Sequence, residues 1–204
     1  ELATLLSGRY VEIKMMPLSF KEYLSAFDEN RNTEQLYQNY IHNSSFPYVL
    51  ELTEQKDIRQ YLDGIYNSII VKDIITRRRI GDVEMLKSVA RFLFDNIGNM
   101  TSAKKIADTM TSAGRKISVH TVESYLDALT ESFVFYRAGR FDIKGKQYLK
   151  TGDKFYAADI GLRYHVLGTK KADIGHILEN IVYLELLRRG YEVYVGKVGS
   201  AEVD

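Results

Sequence analysis

Apolar residues recur at helical spacing along most of this chain, and strand-like runs interrupt them at a few points. Leu2, Leu5 and Leu6 close a first helix that ends at Ser7-Gly8 in the manner of a glycine cap. Tyr10 to Met15 reads as a short strand ended by Pro17, after which Ser19 caps a helix carrying Phe20, Tyr23 and Leu24. A polar stretch, DENRNTEQ, leads into a helix from about Leu36, and Pro47 in SSFPY marks a break. From Asp57 to Arg79, Ile58, Leu62, Ile65 and Ile69 keep helical spacing and Ile74 and Ile75 follow, which predicts one long helix or two, stopped by Gly81-Asp82. The next helix turns Met85, Val89, Phe92 and Leu93 inward. Beyond Asn99 the pattern changes. Ser102 caps a helix bearing Ile106, Ala107 and Met110, Gly114 turns the chain, and Ser118 caps a second bearing Val122, Tyr125, Leu126 and Leu129. Phe133 to Tyr136 reads as a strand and Lys154 to Ala158 as its return. Helix, turn, helix and hairpin is the order of a winged helix.

The last stretch, GHILENIVYLELLRRGYEVYVGKVGSAEVD, predicts a helix, a short strand and a second strand ending on Glu202-Val203-Asp204. At 100° per residue, Val182 and Leu186 lie to one side of Glu179 and Tyr183 to the other, so its carboxylate projects into an apolar sector. Buried there it needs a partner: a metal, a cation or backbone N–H groups. A helix glutamate beside a strand aspartate is also how divalent-metal nucleases gather hard oxygen ligands, so Glu179 and Asp204 are candidate Mg²⁺ ligands. Glu202 alternates with Asp204 and faces the same way. A structural hydrogen bond tying helix to sheet, or the relic of a lost site, is the plainer reading of Glu179.

Composition narrows the picture. The chain has 204 residues and 45% hydrophobic content, enough for a sizeable core. With 28 basic and 27 acidic residues, its net charge of +1 supplies no general pull toward nucleic acid. Absent cysteine excludes disulfides and thiolate metal sites and fits a reducing, cytoplasmic setting. No apolar run suits a membrane span. The four histidines show no metal-ligand spacing, and Asp159 in AADIGLR reads as holding a turn. The start at Glu1, inside a helical pattern, and the stop after EVD suggest a piece of a longer protein.

Several stretches carry a family resemblance. SGRYVEIKMMPLSFKEYL resembles the join between the ATPase core and the lid of a group of prokaryotic AAA+ ATPases. SIIVKDIITRRRIGD, SVHTVESYLDALTESFVFYRAGRFDIKGK, KFYAADIGLR and the GHILEN…EVD ending resemble their C-terminal domain, catalogued as of unknown function. The resemblance covers almost the whole chain and implies an α/β fold: residues 1–24 as the end of the AAA+ core, 25–98 as helical lid and linker helices, 99–168 as a winged helix, and 169–204 as an incomplete domain like the PD-(D/E)xK nucleases. Such a protein usually carries a glycine pair before the lid proline. Here Ser44-Ser45-Phe46-Pro47 stands there, which argues against a special backbone role.

The resemblance gives Arg9 the position of an arginine finger that reaches a neighbouring subunit's nucleotide, which would make the parent a homo-oligomer. The plainer reading is an arginine on its own helix C-terminus. No G-x-x-x-x-G-K-[ST] occurs, and GRFDIKGK has the wrong register for a P-loop. ATP and Mg²⁺ are therefore expected in the parent protein, and this chain alone should not hydrolyse ATP. In the helix starting near Ser118, His120, Glu123, Ser124 and Asp127 face outward, and two carboxylates would repel phosphates. Arg137, Arg140, Lys144 and Lys146 crowd the hairpin instead, so DNA contact would run through the wing; a protein-binding or architectural role is the alternative. Three function classes remain at this point: a partner-binding accessory region of an ATPase, with DNA or another protein as partner; a metal-dependent nuclease completed by further chain; and a non-enzymatic DNA-binding regulator.

Overall fold

The computed structural model describes residues 13–28, 30–142, 147–168, 173–198 and 201–203. The fold is mixed α/β and mostly helical. Ser19 opens α1 (Phe20–Leu24) through a capping box: its hydroxyl accepts from the Glu22 N–H at 3.1 Å, and the Glu22 carboxylate accepts from the Ser19 N–H at 2.7 Å. Asn32 caps α2 (Thr33–Asn43), and a 3-10 turn, Pro47–Glu51, begins at the proline. The stretch expected as one or two helices is continuous: α3 (Gln55–Asn67) runs through a wider π-helical segment, Ser68–Ile74, into α4 (Ile75–Arg78), and Arg79 ends it with φ 51°. Asp82 caps α5 (Val83–Asp95), Ser102 caps α6 (Ala103–Ser112), and Ser118 caps α7 (Val119–Glu131), each side chain accepting from a first-turn N–H.

Two expectations need correction. Of the strand expected over Tyr10 to Met15, residues 10–12 lie outside the described residues; Ile13 to Met15 form no strand and pair with none among the described residues, with Ile13 81% and Met15 88% exposed. Phe133, read as the first residue of a strand, instead closes α7. Its φ is 55°, its N–H donates to Thr130 O, and the Val134 N–H donates to Leu129 O, the bonding of a left-handed helix stop.

Strand β1 (Phe135–Asp142) therefore starts two residues later and pairs antiparallel with β2 (Gln147–Ala157). Next come α8 (Ile160–Leu167), α9 (Ile174–Arg188), β3 (Val195–Val198) and β4 (Ala201–Val203). The sheet order is β2-β1-β3-β4, with β1 and β3 parallel and β3 and β4 antiparallel, so the hairpin and the terminal strands share one sheet.

Alternation along β1 and β2 divides two apolar layers. Phe135, Phe155 and Ala157 join the large core, which runs from Tyr23 and Leu36 through Leu86, Phe94 and Leu129 to Ile177. Ala138 and Tyr156 face the other way, against Tyr183 and Leu184 of α9 and Val195. The outer edge of β2 is capped: Thr101 exchanges backbone bonds with Asp153 at 2.9 and 3.0 Å, and the Gly98 N–H donates to Phe155 O at 3.1 Å. Farther along, the fully buried Asn180 amide accepts from the Ala157 N–H and donates to Ala157 O, both at 2.8 Å. A side chain thus completes the hydrogen bonding that a further strand would supply.

Candidate functional site

Glu179 has found its partner in a cation. Lys154 Nζ lies 3.0 Å from Glu179 Oε1, and the Tyr156 hydroxyl donates to the same oxygen at 2.7 Å. Lys154 and Tyr156 are two residues apart on β2 and so share a face. Tyr156 is held by stacking on Tyr183, with ring centroids 3.9 Å apart. The lysine side chain is 4% exposed and the glutamate 25%, so the pair spans the boundary of the core. His176, one turn earlier on α9, brings Nδ1 to 3.6 Å from Glu179 Oε2. Gly98 covers the group with φ +70°, and a Cβ there would meet His176 Nδ1 at 3.0 Å and Glu179 Oε2 at 3.1 Å. Asn96, Asn99, Met100 and Lys105 complete the walls of an open recess of about 470 Å³.

Sequence reasoning placed Lys154 on a strand and did not connect it to Glu179. The available signal was a lysine opening the run KFYAA, whose other residues all suit a core.

The remaining predicted residues do not gather here. Arg9, Asp204, Lys144 and Lys146 lie outside the described residues. Arg137, expected to meet phosphates, donates through Nε to Asp153 Oδ2 at 2.6 Å, and its guanidinium also lies 3.9 Å from Asp127. Its charge is already compensated within the fold. Among the described residues the Arg140 Nε is buried without a hydrogen-bond partner. Glu123 and Asp127 line a groove between α7 and the hairpin together with Arg137 and Asp153. Arg77 and Arg78 pair with Asp73 and Glu131. No group of three or more His, Asp or Glu side chains among the described residues could hold a metal, and no helix there is long and apolar enough to cross a membrane.

A second polar centre lies where the end of α2 meets the start of α8, and Asp159 does more there than hold a turn. One carboxylate oxygen accepts from the Leu162 N–H at 2.5 Å, capping α8, while the other accepts from the Ser45 N–H at 2.7 Å and Oγ at 2.6 Å. Burial pushes the Asp159 carboxyl above its ordinary value, against the downward pull of the Ser45 and Leu162 bonds. Gly161 allows the approach: a Cβ there would sit 2.2 Å from Ser44 N. Ser44 itself has φ 105° and ψ 155°, a conformation that belongs almost wholly to glycine. The serine pair therefore does not remove the special backbone at this point; Ser44 adopts it under strain, fully buried, with its Oγ accepting from the Phe46 N–H at 3.1 Å. Nearby, the Ser45 carbonyl accepts from the Leu18 N–H at 2.8 Å, and Tyr40 donates to Leu18 O at 2.9 Å.

A family model described as "Domain of unknown function (DUF8612)" matches residues 34–173. The chain belongs to this family. The matched range takes in both Ser45 and Asp159, and Lys154 as well, whereas Glu179 falls just beyond it. An "Uncharacterized protein" of Haemophilus influenzae is 48% identical over 207 positions, covering 100% of this chain and 52% of that relative. A second, from Methanocaldococcus jannaschii, is 28% identical over 207 positions, covering 94% of this chain and 45% of the relative. The chain thus spans about half the length of the curated relatives it matches. No solved structure matches it.

Proposed function

We propose that this chain is the C-terminal accessory region of a prokaryotic AAA+ ATPase, and that it carries movement of a helical lid into an α/β body that meets the partner. The supporting observation is the Asp159 clasp. A buried carboxylate holds Ser45, between α2 and the 3-10 turn, to the start of α8, with Gly161 and Ser44 in backbone contact. A second tie lies at the far end of α9, where Arg188 donates to Pro17 O at 2.6 Å and reaches Glu22 at 3.8 Å. Buried polar ties of this kind resist separation, because parting them strands desolvated groups. The lid and the body therefore move as one piece.

Hydrogen exchange in the full-length protein tests this reading. A nucleotide analogue is expected to change protection in both α2 and α8–α9, and in Asp159→Ala the response should remain in α2 alone. Arg9→Ala should lower ATP hydrolysis by about 10³-fold if Arg9 is the finger. A full-length protein that hydrolyses no ATP, or a wild type whose α8–α9 ignore nucleotide, ends the proposal.

The order α6, turn, α7, hairpin favours a second reading, a winged helix that contacts DNA. Glu123 and Asp127 on the groove side of α7 discourage phosphates there. Contact would fall to Arg140, Lys144 and Lys146 on the hairpin. Binding should then be lost steeply with salt and weaken in Arg140→Gln/Lys144→Gln; no binding at low salt would dispose of it. The nuclease-like reading, in which α9, β3 and β4 begin a PD-(D/E)xK fold with Mg²⁺ shared by Glu179 and Asp204, turns on what occupies Glu179.

A further inference from the structure

A metal at this place must take an oxygen from Glu179. Oε1 is already engaged by an ammonium at 3.0 Å and a phenol at 2.7 Å. Oε2 faces His176 Nδ1 at 3.6 Å. Mg²⁺ needs near-octahedral oxygen ligands at about 2.1 Å and keeps several waters. A divalent ion on Glu179 would also stand against a buried positive charge that cannot swing away, since Lys154 is walled in with 4% of its side chain exposed. The described residues do not fit the metal that the nuclease resemblance implies.

We propose that Lys154 is a built-in cation that takes the metal's place at Glu179. The ammonium supplies the positive charge that a carboxylate at the core boundary requires, and Tyr156 fixes the same oxygen. The recess is then a polar site that keeps its shape and charge without a divalent ion. This is independent of the lid-coupling proposal and survives its failure.

The test is Mn²⁺ binding by the full-length protein without nucleotide, followed by the electron paramagnetic resonance signal of free Mn²⁺. Wild type and Glu179→Gln should bind equal numbers of ions at millimolar Mn²⁺. Lys154→Asn, which exchanges the ammonium for a neutral oxygen ligand, should gain one ion per chain, and Lys154→Asn/Glu179→Gln should lose it again. Lys154→Arg keeps a cation and should gain none. An ion that wild type binds and Glu179→Gln does not would overturn the proposal, as would a folded Lys154→Asn that gains nothing. If Lys154→Asn does not fold, equality of wild type and Glu179→Gln supports the proposal and a difference sinks it.

Discussion

Two carboxylates organise this molecule, and they are stabilised in opposite ways. Asp159 is fully enclosed and is held by neutral donors: the Ser45 N–H and hydroxyl and the Leu162 N–H. Glu179 stays a quarter exposed, at 25%, and leans on the charge of Lys154. The closed site costs desolvation, which shows as the raised Asp159 pKa, and in return binds two parts of the chain into one body. The open site gives up some packing and keeps a charged pair within reach of solvent. A buried polar group serves cohesion when every donor is internal, and remains available for recognition when one side faces water.

The junction should break most readily. Gly161→Ala drives a methyl into the Ser44 backbone, and a loss of about 3 kcal/mol or more, or failure to fold, is expected in urea unfolding. At the recess the two partners should be unequal. Glu179→Leu takes the carboxylate away from a buried ammonium and should cost about 3 kcal/mol. Lys154→Met leaves a carboxylate that can still reach water and Tyr156, and should cost about 1 kcal/mol. Equal losses would mean that the recess is as closed as the junction.

The pH response separates the sites further. The folded Asp159 pKa lies above its ordinary 3.8, so its contribution to stability is complete below the unfolded pKa and is lost as pH rises through the folded one. Wild type should therefore lose stability relative to Asp159→Asn over the range above about pH 4. The slope should approach about 1.4 kcal/mol per pH unit while the folded carboxyl keeps its proton and the unfolded one has lost it. Denaturation midpoints across that range will show it. Ser44→Gly should relieve the strained backbone and raise stability by about 1 kcal/mol, offset in part by the lost Phe46 N–H bond. The smallest effect belongs to Arg137→Gln, about 0.5 kcal/mol, because the guanidinium is 46% exposed.

Much of this architecture was legible in the chain. Helices capped by Ser19, Ser102 and Ser118 were placed correctly because cap and apolar spacing are local signals. The demand that Glu179 find a partner was legible too, from its place among apolar neighbours. That the partner would be Lys154 was not, because 25 residues separate them and the strand register that aims the lysine is a long-range property. The strand expected at Tyr10–Met15 fails over its described residues, Ile13–Met15, for a related reason: alternation describes a strand only where another strand pairs with it.

The sequence by itself determined most of the helices, the caps at Ser19, Ser102 and Ser118, the hairpin and the need to neutralise one acid in α9. These follow from spacing and side-chain chemistry within a few turns of chain. Only the tertiary structure decided that Lys154 answers Glu179, that Asp159 reaches back 114 residues to Ser45, and that Ser44 takes a glycine's backbone. Each depends on which surfaces meet after folding, and burial, which makes these groups need one another, does not exist until they do.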